Sequence, residues 1–228
     1  HWRLVAVQTM FTTRAAAESW TVTPDGLEYR FTLREGLRWS NGDALKAADF
    51  VAGMRRLVDP DTASPYAHFI DPVLNAGAIA RGEERPGELG VSAPDDRTVL
   101  IRLATPAPYL LGLVSQPGTF PVHGPSLAAH GAEYARPGKL VSNGAFVLAD
   151  WIIGSHVVLR RNPHYWNNAA TRLEEVHFVH VADAGTELRQ YRAGQLDFTY
   201  GVPAPQFQWI KQNLPDELHI APQLSVYY

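Results

Sequence analysis

Residues 27–50, LEYRFTLREGLRWSNGDALKAADF, constrain the fold most, because the hydrophobic period changes within them from that of a strand to that of a helix. Leu27, Tyr29, Phe31 and Leu33 alternate with Glu28, Arg30, Thr32 and Arg34, the pattern of a strand with one buried face. Arg34-Glu35-Gly36 and Ser40-Asn41-Gly42-Asp43 supply turn chemistry, with Gly36 and Gly42 free to take positive φ. Leu37 and Trp39 between them read as a short apolar edge segment. From Ala47 the apolar positions Phe50, Val51, Met54, Leu57 and Val58 fall at helical spacing. Asp49, Arg55 and Arg56 occupy the other face, and Asp59-Pro60 ends the helix. Lys46 precedes that helix and cannot accept a backbone amide, so a capping box is expected to be lost there at a cost of about 1 kcal/mol.

The remaining chain reads as a mixed α/β (α+β) protein. A short helix is predicted around Leu74 to Ala80, a turn at Ala93-Pro94-Asp95-Asp96, and an antiparallel strand from Thr98 to Leu103. Tyr109, Leu110, Leu113 and Val114 suit a short buried helix. Gln116 to Pro125 holds three prolines and two glycines and reads as a crossing loop, which places a domain boundary near His123 and gives domains 1–123 and 124–228. Beyond it, a helix at Ser126 to Ala132 is followed by a hairpin of Gly144 to Trp151 with His156 to Arg160. A strand at Glu175 to Val181, a helix at Ala184 to Ala193 and a strand at Phe198 to Tyr200 come next. A helix at Gln206 to Asn213 and strands at Leu218 to Ile220 and Leu224 to Tyr228 complete the reading. Alternating strands and helices in this second part suggest an α/β layer.

Composition narrows the chemistry. A length of 228 residues with 46% hydrophobic and 19% charged residues supports a substantial core and argues against disorder. The net charge of −3 and dispersed basic residues speak against nucleic acid. With no cysteine, disulfides, thiolate zinc sites and thiol catalysis are excluded. No apolar run reaches the roughly 18 residues of a membrane span. Nine histidines invite a metal hypothesis, yet the closest pair, His177 and His180, diverges on a strand and lacks the Glu of HExxH on a helix. No GxSxG, GxGxxG or GxxxxGKS occurs, and the adjacent acids Asp95-Asp96 and Glu174-Glu175 suit solvated positions better than acid–base work. No catalytic residue, metal site or cofactor is assigned. Trp39, Trp151 and Trp166 are expected to pack in the core.

The strand, the Trp39-Ser-Asn-Gly42 turn and the Ala48-Asp-Phe50 helix resemble the signature region of the oligopeptide- and dipeptide-binding proteins of bacterial peptide ABC importers, solute-binding protein family 5. Further blocks follow in that family's order: Asp61-Thr-Ala-Ser-Pro-Tyr66, Thr105-Pro-Ala-Pro-Tyr109, Ser142-Asn-Gly-Ala-Phe146, Leu159-Arg-Arg-Asn-Pro-His-Tyr-Trp166, Tyr191-Arg-Ala-Gly194 and Val226-Tyr-Tyr228. The resemblance covers about residues 17–228 and is strongest to the oligopeptide branch. His1 to Thr13 do not look like the family's leading strand, and no initiator Met or secretory signal precedes them. The chain stops at Tyr228, where family members continue for roughly as many residues again.

That resemblance implies part of a two-lobed, type II periplasmic-binding-protein fold: one lobe plus the small extra domain, with the second lobe missing. It implies a periplasmic protein that binds extended oligopeptides in an interlobe cleft and hands them to ABC permease subunits, without enzymatic activity. It places Tyr66, Gln116, Tyr200, Gly201 and Tyr228 near the peptide. Phenols there would stack on variable side chains while their hydroxyls bond main-chain groups. Tyr227 and Tyr228 face opposite ways on a strand, so one of them points at ligand, and the match favours Tyr228. Gly201 and Val202 stand where oligopeptide binders often carry Asn, so some polar contacts of that family are not expected. The family's clamps for the peptide termini fall in the absent lobe. The rival expectation is therefore a folded piece without peptide binding, with a structural or protein-interaction role and self-association through the exposed interlobe face. Dipeptide, muropeptide, haem or nickel complexes are the alternative ligands.

Overall fold

The computed structural model describes residues 15–199 and 201–220. It divides into two compact units, one of His1–Trp151 with Val157–His177, the other of Ile152–His156 with Phe178–Tyr228.

The first unit is built on a four-stranded antiparallel sheet in the order β1-β2-β4-β3, from β1 (Ala17–Val22), β2 (Glu28–Leu33), β3 (Val91–Asp95) and β4 (Thr98–Arg102). The alternation in β2 does what its period predicts: Tyr29, Phe31 and Leu33 are buried. Tyr29 stands opposite Ile101 and Phe31 opposite Val99, so one apolar face runs across the sheet. Glu28 and Arg102 are likewise opposite and ion-paired at 3.2 Å. Helix α1 (Ala47–Val58) lies against β3 and β4 and buries Phe50, Val51, Met54, Leu57 and Val58, the residues its helical spacing selects. Gly36 and Gly42 take φ of +69° and +91° as their turns require. Trp39 is buried, and Asp59 at φ −64°, ψ 121° stops α1 before Pro60.

Short helices α2 (Ala76–Ala80), α3 (Leu110–Leu113) and α4 (Gly124–His130) follow at or near their expected places. A three-stranded sheet in the order β5-β6-β7 comprises β5 (Phe146–Ile152), β6 (His156–Arg161) and β7 (Glu175–Val179). In the second unit, α5 (Ala184–Arg192) is capped by Asp183, whose Oδ2 accepts the Thr186 amide at 2.7 Å, and α6 (Phe207–Asn213) buries Ile210. Arg192 lies 4.4 Å over the Trp209 ring, and the Tyr191 hydroxyl donates to Glu217, tying α5 to the segment around α6.

Several expectations are corrected. Ala93-Pro94-Asp95 is strand rather than turn: β3 is an edge strand with a register shift between Ser92 and Asp95, so the missing Pro94 amide costs no ladder bond. Tyr109 is exposed, since only Leu110 and Val114 of that helix region turn fully inward. Phe198 and Leu218–Ile220 are not strands, having no ladder partner among the described residues. The capping box at α1 is half kept: Asp49 Oδ2 accepts the Lys46 amide at 2.8 Å, while the Lys46 side chain bonds no helix amide and pairs with Asp96 at 2.9 Å. Trp151 and Trp166 are 41% and 37% exposed rather than core. Each is instead covered by a guanidinium, Arg136 at 5.6 Å and Arg34 at 4.0 Å from the ring centroid.

Candidate functional site

Tyr66 opens the tight turn Ala67–Ile70, its amide donating to Ser64 Oγ at 3.3 Å. Its ring tilts against Phe69 with centroids 5.3 Å apart, yet the residue stays 54% exposed, so one phenol face is open. Gln116 opens the turn Pro117–Thr119, and its carbonyl accepts the Thr119 amide at 3.0 Å. Thr119 is buried there, with Oγ1 2.8 Å from the carbonyls of both Val114 and Gln116. That pinned hydroxyl fixes the turn and leaves the Gln116 side chain outside. The two candidates are neighbours across Gly118, where an added Cβ would lie 3.8 Å from Tyr66 Cβ and 3.2 Å from Leu57 Cδ1.

Gly201 belongs to the second unit, where it is exposed with no atom within 4 Å of an added Cβ. Tyr200 and Tyr228 lie outside the described residues. A groove of about 430 Å³ is lined by His68, Phe69, Asp71, Pro72, Thr105, Tyr109 and Leu113. Neither Tyr66 nor Gln116 lines it, although Phe69, which does, packs against the Tyr66 ring. Among the described residues no group of three or more His, Asp or Glu converges for a metal.

Sequence reasoning did not find the junction where the family blocks meet. Ser40 and Ser142 exchange bonds, the Ser40 amide to the Ser142 carbonyl at 2.7 Å and the Ser142 amide to Ser40 Oγ at 3.1 Å. Asn162 is fully buried and bonded three ways, from its amide to Ala145, from Nδ2 to Gly144 at 2.8 Å, and from the His164 amide to Oδ1 at 3.0 Å. Asp43 accepts from Asn41 Nδ2 at 2.7 Å and lies 3.0 Å from His123 Nε2. Those two bonds, Asn41 first, hold its carboxyl below the ordinary carboxylate value. The partners are 80 residues apart, and no local pattern announces them.

The periplasmic oligopeptide-binding protein OppA of Escherichia coli is 40% identical over 215 residues, 93% of this chain and 39% of that protein. The probable deoxycholate-binding periplasmic protein YgiS of the same organism is 41% identical over 94% of this chain and 40% of its own length. Among solved structures, Haemophilus influenzae OppA in complex with RPPGFSPFR matches with a TM-score of 0.84 at 40% identity, over 87% of this chain and 39% of that one. The unliganded open form of MppA, a periplasmic murein tripeptide-binding protein, also matches at 0.84, with 36% identity over 88% and 39%. The chain therefore spans about two fifths of the length of these relatives, less than the half expected from the sequence. Residues 12–228 match the family described as bacterial extracellular solute-binding proteins, family 5 Middle, and the chain belongs to that family.

Proposed function

We propose that this chain is the peptide-contacting part of an oligopeptide-binding protein that serves an ABC importer in the periplasm. The observation that carries this reading is the 40% identity with OppA over 93% of the chain, together with the match to OppA in its complex with a peptide. Tyr66, Gln116, Tyr200, Gly201 and Tyr228 are the proposed contact residues. Tyr66 supports that role, because a half-exposed phenol held at its base by Phe69 offers a flat face to any side chain. Main-chain hydrogen bonds would supply affinity without sequence preference, and closure of two lobes would bury the peptide. No covalent step is needed, in keeping with a family of solute-binding proteins. We place the division between the small domain and the ligand-binding lobe near His123. The main cluster of buried apolar residues, Ala16 to Val114, lies wholly before it.

A second reading, of a steroid acid as ligand, rests on the 41% identity with YgiS. The experiment is calorimetry of the purified chain against a mixed pool of tri- to pentapeptides and, separately, deoxycholate. A dissociation constant near 1 μM, about −8 kcal/mol, for the peptides, weakened by Tyr66→Ala, supports the first reading. Heat with deoxycholate alone supports the second. No heat with millimolar peptide from a chain that melts cooperatively overturns peptide binding by this chain. The same sample in sedimentation would then show whether exposed apolar residues of the second unit, such as Phe198 and Ile220, drive self-association.

A further inference from the structure

His123 joins two elements that are far apart in sequence, and its ring can do so in one protonation state. The residue is 6% exposed, with the Trp39 indole against it at 5.2 Å between ring centroids. Nδ1 accepts the Ser126 amide at 3.1 Å, so His123 is the side-chain N-cap of α4. Nε2 lies 3.0 Å from Asp43 Oδ2, which accepts as a carboxylate, so Nε2 carries the hydrogen. The neutral Nε2–H tautomer satisfies both bonds, and the tautomer with hydrogen on Nδ1 satisfies neither.

A second proton must go to Nδ1, where it meets the Ser126 N–H donor to donor. The bond to Asp43 gains charge assistance at the same moment. We propose that protonation of His123 is a latch release, which frees the N-terminus of α4 from the imidazole while the ring stays on the Asn41–Asp43 turn. The charged and titratable groups around the latch are few. Asp43 faces the ring directly, and Arg38 Nη1 holds the Gly42 carbonyl at 2.7 Å beside it. His164 faces the same turn, its Nε2 3.6 Å from where a Gly42 Cβ would sit, and Asp49 lies 3.4 Å from Trp39 Nε1. On the α4 side, His130 sits in the last turn, and Lys139 presents its carbonyl to Ser126 Oγ at 2.5 Å. That bond, with the Leu127 amide on the His123 carbonyl, keeps α4 in place after release.

The test is NMR on the full chain between pH 8 and 5, following the His123 ring nitrogens and exchange of the Ser126 amide. At pH 8 the ring is expected as the Nε2–H tautomer. As His123 gains its second proton, protection of the Ser126 amide, taken against the intrinsic exchange rate at each pH, should fall about five- to tenfold, the loss of one cap bond, while the fold persists. His123→Asn, whose Oδ1 can accept the same amide without titrating, should keep Ser126 protected throughout. An Nδ1–H tautomer at pH 8, a Ser126 amide unmoved through the titration, or the same step in His123→Asn overturns the proposal.

Discussion

Gly53→Ala tests the packing of α1 against the turn that Gln116 opens. Glycine in a helix interior ordinarily costs about 1 kcal/mol relative to alanine, so propensity alone predicts that the change stabilises the protein. The structure reverses the sign. A Cβ on Gly53 would lie 2.4 Å from the Phe120 carbonyl oxygen and 3.3 Å from Pro121 Cα, and both are backbone atoms that no rotamer change can move. Reaching ordinary contact, which begins at 3.4 Å, requires about 1 Å of separation between α1 and the chain at Phe120. That movement would loosen Leu57 of α1 from Gly118 in the same turn, and overpacking of this kind costs about 1–3 kcal/mol before such losses. Set against the propensity gain, the net expectation is a loss of about 2 kcal/mol, a fall in Tm of about 4–8 °C for a chain of this size. Thermal melts read in both the far and near ultraviolet would measure it and test whether the transition is two-state. Gly112→Ala is the control: it lies in α3 with nothing within 4 Å of an added Cβ and should be neutral or slightly stabilising. A Gly53→Ala protein melting at or above the parent temperature would refute the close approach.

Lys46→Ser restores an acceptor for the α1 amides and should gain about 1 kcal/mol, less whatever the exposed Lys46–Asp96 pair contributes; a Tm unchanged or lowered would count against it. Asn162→Ala removes the bonds to the Gly144 carbonyl and His164 amide inside the junction and should cost about 2–3 kcal/mol in urea unfolding. Asp183 titrates below its ordinary 3.8, chiefly because it accepts from the Thr186 hydroxyl and then from the Thr186 and Gly185 amides. A depressed folded pKa adds stability that is present above the unfolded value and lost as pH falls through the folded one. Amide protection at the start of α5, taken against the intrinsic exchange rate at each pH, should therefore fall only below about pH 4. Asp183→Asn, which caps without ionising, should abolish that step.

What the sequence made legible was whatever a local period or turn encodes. Leu27 to Val58 could be read because its apolar residues follow a strand period and then a helix period, and the sheet and α1 bury those very side chains. Pro94 and Asp95 hid β3, because turn chemistry and a bulged edge strand use the same residues. Trp151 and Trp166 could not be placed, since what covers them is an arginine from elsewhere in the chain. The adjacency of Tyr66 to the Gln116 turn had no local signal; the family resemblance named the two residues without pairing them, and the fold brings them together across Gly118.

The blocks that betray the family are mostly the ones that hold it together. Ser40 from the signature turn bonds Ser142, the Gly42 turn lies under His164, Asn162 bonds Ala145 and Gly144, and Arg34 covers Trp166. The Ser40–Ser142 and Asn162 contacts join one recognisable block to another through backbone atoms or a buried amide, which tolerate little change. Such residues fix where the loops begin. An oligopeptide-binding and a probable deoxycholate-binding relative stand at 40% and 41% identity to the same chain. The reading proposed above puts ligand choice outside that junction, on exposed turns such as those that carry Tyr66 and Gln116, and under it substitutions there should change specificity while leaving the melting temperature nearly untouched.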